Sequence, residues 1–134
     1  MLATLPQRGT GVLAGDRVIP VGGSLGAELP HGGVQRGSTI ALDGGVGAGA
    51  TTVALQLAAA ATAPGEWAAI VDADGTIGAR AADATGVVLE RCALIRRVPR
   101  DRWATVVAAL LDGVALVVAS VPPYLRPGDA RRLT

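Results

Sequence analysis

Lysine is absent from this chain of 134 residues, and all 12 of its basic side chains are arginine. No position can therefore supply the lysine that a nucleotide phosphate loop ordinarily uses. Phenylalanine is absent too, while Ala, Gly, Val and Arg dominate, which reads as the coding bias of a GC-rich bacterial genome rather than as function. Cysteine occurs once, at Cys92, so no intrachain disulfide can form and a reducing compartment fits. Long hydrophobic runs are missing as well. The apolar segments are broken by Gly, Asp or Arg, and none reaches the ~18–20 residues that span a bilayer. The opening MLATLPQRGTGVLAGDR has no apolar stretch of the signal-peptide kind. These absences point to a cytoplasmic protein without a membrane partner. The formal net charge of +1 requires neither a polyanion nor a charged surface as partner.

What is present is a strongly apolar chain, with 50% hydrophobic residues. That composition excludes disorder, and the length suits one domain with a real core. Residues 1–16 are Gly- and Thr-rich without period and read as a flexible leader; residues 17–134 read as the core. RVIPV (17–21) fits a short edge strand, because Pro20 bars a central one. SLGAEL (24–29) reads as one helical turn and LPHGGVQRG (29–37) as a turn-rich loop. STIAL (38–42) is a β-branched run that predicts a buried strand. TTVALQLAAAAT (51–62) has strong helix formers and almost no polar face, predicting a buried helix ended by Ala63-Pro64-Gly65. WAAIVD (67–72), CALIR (92–96) and VALVVAS (114–120) predict core strands. TIGARAADAT (76–85) predicts a helix stopped by Gly86. RDRWATVVAALLDG (100–113) predicts an amphipathic helix turning Trp103, Val106, Val107, Leu110 and Leu111 inward. Asp129 is placed to cap a last helix. Strands alternating with helices mean βαβ units and a parallel sheet with helices on both faces.

Between the strand at 38–42 and the helix at 51–62 runs GGVGAGATT, residues 44–52. A phosphate loop has Gly, four residues, Gly, Lys, then Ser or Thr. Gly44 and Gly49 have that spacing, Ala50 replaces the lysine, and Thr51 fills the hydroxyl position. Glycines let successive backbone N–H groups turn toward an anion, and the helix start adds fractional positive charge. The missing lysine removes a charged hydrogen bond of about 1.5–3 kcal/mol, so a nucleotide would bind roughly ten- to a hundredfold more weakly. The loop alone leaves two readings open, a weakened anion cradle and a plain strand-to-helix turn.

The run LPHGGVQRGSTIALDGGVGAGATT resembles the segment that leads through the phosphate loop of RecA-family proteins. WAAIVDADGTIGARAADATGVVLERCALI resembles that family's next strand, acidic turn, helix and following strand, and GVALVVASV resembles its Walker B strand. About 90 residues are covered in order. The resemblance implies a RecA-like P-loop NTPase-type fold, a parallel sheet flanked by helices. It puts the family's catalytic glutamate at Asp74, its adenine-stacking aromatic at Ala81 and its Walker B aspartate at Ala119, followed by a matching Ser120. Lysine, magnesium carboxylate and adenine platform are thus replaced, and phosphoryl transfer rests almost wholly on positioning and charge neutralisation. The implied protein is a pseudo-ATPase. Asp74 is expected to be inactive, no metal is expected, and Gly44, Gly45, Gly47, Gly49, Ala50, Thr51 and Thr52 form a vestigial phosphate loop. No cofactor is expected, with weak ATP or phosphate binding left open.

Within that family the chain looks most like the actinobacterial ImuA-type accessory proteins. This implies an interaction protein in SOS-induced DNA repair and error-prone translesion mutagenesis. Its implied partners are an ImuB-type Y-family-like protein and an error-prone polymerase complex, with no direct DNA contact expected. The alternatives are a divergent ATP-binding protein and a DNA-binding recombination mediator. RecA-like sheets carry one more strand between the phosphate-loop strand and the Walker B strand, later in sequence than the latter. This chain stops first, so the domain is expected to be incomplete at its C-terminal end and to re-pair or leave open edges.

Other residues have plainer readings. Asp72 and Asp74 fit a capping and turn pair better than a metal pair. His31 reads as solvated, Cys92 as an inert core thiol, and Trp67 and Trp103 as core. Arg91, Arg96, Arg97, Arg100 and Arg102 form one basic cluster and Arg126, Arg131 and Arg132 another. Either could meet nucleic acid or an acidic partner, but interleaved acids favour an ordinary solvated face. The stretch after Ser120 leaves no room for the first DNA-contacting loop of RecA proteins, which argues against strand exchange. Tyr124 and Leu125, at the carboxyl end of a strand, are candidate partner contacts.

Overall fold

The computed structural model describes residues 2–5, 18–42, 49–73 and 75–122. Seven strands and four α-helices are defined among them: β1 Leu2–Thr4, β2 Val18–Pro20, α1 Gly23–Glu28, β3 Gly33–Gln35, β4 Thr39–Ala41, α2 Ala50–Thr62, β5 Ala68–Asp72, α3 Ala79–Thr85, β6 Cys92–Arg96, α4 Trp103–Leu111 and β7 Leu116–Ala119. Short 3-10 turns precede β3, β6 and α4.

The main sheet has the order β4-β1-β7-β5-β6. β5 pairs in parallel with both β6 and β7, while β1 is antiparallel to β4 and to β7. Four strands therefore run one way, and β1 alone runs against them. Helices lie on both faces. α2 packs Ala54, Leu55, Leu57, Ala58 and Ala61 against Ala68, Ile70, Leu116 and Val118. On the other face, α4 brings Trp103 and Val107 to Val71, Val117 and Ala119. Alternation along β7 explains the split, since successive side chains leave opposite faces.

β1 corrects the reading of residues 1–16 as a flexible leader, at least for its first residues. Ala3 stands between Ile40 and Val118 in the registers of its two neighbours and is fully buried. The pairing continues past the strand: the Leu5 N–H donates to the Ser38 carbonyl at 3.1 Å, and the Gly37 N–H donates to the Leu5 carbonyl. The Thr4 and Thr39 hydroxyls meet at 3.3 Å. Three residues are too few to show a period, so β1 is held by its partners rather than announced by its sequence.

Two other elements differ from expectation. β4 was expected to be a buried strand, but it is the sheet edge and its side chains are half-buried or exposed. The turn-rich stretch 29–37 contains β3, which pairs antiparallel with β2 as a separate ribbon. That ribbon is packed backbone to backbone against α1. A Cβ on Gly26 would lie 1.7 Å from the Val21 carbonyl oxygen, so only glycine fits there. Arg36 closes the space between the ribbon and the start of β5, donating to both carboxylate oxygens of Glu66 at 3.0 and 2.9 Å. Thr62 ties the end of α2 to the approach to β6: its hydroxyl donates to the Ala58 carbonyl at 2.9 Å and accepts from the Val88 N–H at 3.0 Å.

Candidate functional site at the carboxyl ends of the strands

β4, β5 and β7 all end on the same side of the sheet, where α/β proteins place ligands. Three sequence-predicted groups are found here. The first is the start of α2. Gly49 adopts a left-handed conformation, with φ of 86°, and Ala50 is the first helical residue and half-buried. Thr51 and Thr52 are exposed in the first turn, and no side chain caps it. Gly44, Gly45 and Gly47 lie outside the described residues. What is defined is a helix start that carries its fractional positive charge and two hydroxyls toward solvent, with a methyl group where a lysine would stand.

The second is the end of β5. The Asp72 side chain is buried and accepts from the backbone N–H of Thr76 at 3.2 Å and of Ile77 at 2.9 Å. The Arg96 Nε lies 3.7 Å from the same carboxylate, and an Arg96 Nη donates to the Ile77 carbonyl. Asp72 thus works as the turn cap that its spacing predicts, joining β5, the approach to α3 and the end of β6. Asp74 lies outside the described residues. Among the described residues, no group of three or more His, Cys, Asp or Glu is gathered to hold a metal ion.

Replacing Asp72 by alanine would leave the N–H groups of Thr76 and Ile77 without their acceptor. Each such group costs about 1–3 kcal/mol when it stays buried. Asp72→Ala is expected to lower stability by about 2–4 kcal/mol in urea unfolding, with Asp72→Asn losing less because the amide oxygen still accepts.

The third is the end of β7. Ser120 staples the strand ends: its hydroxyl donates to the Val71 carbonyl at 3.2 Å and accepts from the Ala73 N–H at 2.9 Å, and its own N–H donates to the Val71 carbonyl at 3.0 Å. Its carbonyl accepts from the Trp103 indole N–H at 3.1 Å. Ala119 points to the α4 face, among Val71, Trp103 and Val107, whereas α2 packs on the opposite face. The structure therefore does not bring position 119 onto the face that carries α2. Ala81 is exposed on α3.

The remaining candidates are scattered. His31 is exposed, as expected, in a left-handed conformation with φ of 59°. Trp103 is core, but Trp67 is 45% exposed and has Arg91 over its ring at 5.6 Å. Cys92 is half-buried rather than core, because β6 lies at the edge of the described sheet; burial pushes its thiol above the ordinary value. Arg91, Arg97, Arg100 and Arg102 are exposed. Arg126, Arg131, Arg132, Tyr124, Leu125 and Asp129 lie outside the described residues.

With this geometry in view, comparison with known proteins gives one match. A family model described as the MT3502 N-terminal domain covers residues 27–134. The chain belongs to the MT3502 N-terminal domain family. No curated protein and no solved structure matches it. The MT3502 match begins inside α1, so β1 and β2 precede it while every element from β3 to β7 falls within it. Among the described residues, no helix of this MT3502-family chain is long and apolar enough to cross a membrane.

The sequence missed two working contacts here. The Arg96 clamp on the Asp72 turn was hidden in an arginine cluster that looked solvated. The only signal for the Ser120 staple was a hydroxyl at the end of an apolar strand.

Proposed function

We propose that this MT3502 N-terminal-domain protein is a RecA-like scaffold without ATPase activity. In this reading it acts through protein contacts in the cytoplasm, within SOS-induced DNA repair and error-prone translesion mutagenesis. Its partners there are an ImuB-type Y-family-like protein and an error-prone polymerase complex.

The observation that carries the reading is the sheet order. The phosphate-loop strand β4 and the Walker B-like strand β7 are parallel and separated by one strand, and β5 and β6 follow on the far side of β7. A strand between those two is what the RecA resemblance expects. Here β1 fills the position in the reverse direction. The resemblance assigns to Ala50 and Ala119 the places of the cation and the magnesium carboxylate that phosphoryl transfer needs, and Ala119 lies on the face opposite α2. The apolar neighbours of Ala119 also favour an interior packing role for that position.

Phosphate release from ATP with magnesium is expected to stay at background for wild type and for Ala50→Lys alike, because the lysine alone restores no magnesium carboxylate. Turnover above background that Asp74→Ala abolishes would overturn the pseudo-ATPase reading in favour of a divergent ATPase. Deleting the gene in its host is expected to lower damage-induced mutation frequency, and an unchanged frequency would remove the mutagenesis role.

A further inference from the structure

We propose that the outer edge of β6, with the apolar cleft beside it, is a docking site for an acidic, extended segment of a partner protein. The segment adds as a strand and seats an aliphatic side chain in the cleft. This deepens the reading of the protein as an interaction scaffold by assigning the surface and the chemistry of the partner.

Three observations meet here. β6 pairs only with β5, so among the described residues no strand lies on its outer side. An unpaired edge presents backbone N–H and C=O groups ready for another strand. Next, a cavity of about 220 Å³ opens between β6 and α3, lined by Ile70, Ile77, Ala82, Leu89, Cys92 and Leu94. It is smaller than the roughly 300–1,000 Å³ of small-molecule sites, and suits a side chain better than a cofactor. Among the described residues, Leu89 and Leu94, both lining this cavity, are large hydrophobic side chains left exposed, which marks the face for contact.

Charge selects the occupant. Residues 90–102 carry Arg91, Arg96, Arg97, Arg100 and Arg102 against Glu90 and Asp101. Arg97, immediately after β6, holds a left-handed conformation with φ of 56°, turning the chain sharply off the edge. A second copy of this chain would bring the same arginines to the contact and be repelled. The chain's own residues 123–134 carry Arg126, Arg131 and Arg132 against Asp129, and residues 6–17 carry Arg8 and Arg17 against Asp16. Neither segment complements the cleft, whereas an acidic strand from another protein does.

The test uses the full chain, isotopically labelled, and an acetylated eight-residue peptide of alternating aspartate and leucine. A matched peptide with lysine in place of aspartate is the control. Saturable shifts of the Cys92–Arg96 amides and a change in Trp67 fluorescence are expected with the acidic peptide, with Kd on the order of 10–500 µM. Leu94→Asp and Arg91→Glu, both at exposed positions, are expected to weaken binding by at least about tenfold while leaving the circular dichroism unchanged. Equal binding of the lysine peptide would overturn the proposal, as would no saturable shift at about 1 mM peptide. So would slow exchange, in the free protein, of the β6 amides that point away from β5, because the edge is then covered by this chain or by a second copy. These outcomes are independent of nucleotide turnover, so this surface and the pseudo-ATPase reading can fail separately.

Discussion

Ala3→Asp is expected to destabilise the protein by more than about 4 kcal/mol, enough to remove much of the 5–15 kcal/mol that holds a typical domain. Ala3 is fully buried in the middle of β1, with Ile40 and Val118 as its cross-strand partners. A carboxylate there would either enter an apolar core or take up a proton, and both cost several kcal/mol. The alternative is to expel β1, which strips the ladder from β4 and from one side of β7. Urea unfolding followed by circular dichroism measures the loss. Ala81→Asp, at an exposed position on α3, is the control and should stay within about 0.5 kcal/mol. An unchanged unfolding midpoint for Ala3→Asp would mean that residues 2–4 are not in the sheet.

Gly26→Ala is expected to cost about 3 kcal/mol or more, against the sign that helix propensity alone gives. Alanine in a helix is favoured over glycine by about 0.8–1.0 kcal/mol. At position 26 the added carbon would lie 1.7 Å from the Val21 carbonyl oxygen and 2.7 Å from its carbonyl carbon. Both are backbone atoms next to β2, so relief requires moving α1 away from the ribbon, and overpacking of this kind outweighs the propensity gain. Gly78→Ser is the contrast. Open space surrounds Gly78, it precedes α3 with no side-chain cap, and serine can supply one. That variant is expected to be neutral or mildly stabilising in the same assay. A neutral Gly26→Ala would contradict the close approach of α1 to β2.

These two positions also show where the sequence was legible and where it was not. β5, β6 and β7 were readable because each is a short apolar run bounded by turn residues, and α3 because Gly86 takes the left-handed conformation that ends a helix, with φ of 99°. α4 was readable from its spacing, which turns Trp103 and Val107 inward. β1 was not, because its strand identity comes from partners about 35 and 115 residues away in the chain, and three residues carry no pattern. β3 was masked by the glycines and proline around it. Trp67 looked like core because tryptophan usually is, yet it stands just outside the paired register, which opens at Ala68↔Cys92. Its ring meets Arg91 instead.

For the site, the glycine spacing singled out Ala50 and the family resemblance singled out Ala119, but neither tells which face of the sheet each would serve. Facing depends on strand phase, and phase is set by the core on both sides. Asp72 was read as a turn cap and is one, since a carboxylate on the last residue of β5 is within reach of the N–H groups four and five residues further on. Its clamp by Arg96 needed the parallel register of β5 and β6, which puts Asp72 and Arg96 side by side.

The most direct test of the account is equilibrium binding of a fluorescent ATP analogue with magnesium, measured for wild type and for Ala50→Lys. The account predicts no saturable binding by wild type below about 1 mM, and binding roughly ten- to a hundredfold stronger for Ala50→Lys if the loop keeps an anion cradle. Tight, magnesium-dependent binding by wild type would contradict it, and would make nucleotide a ligand of this fold despite the alanine at position 50.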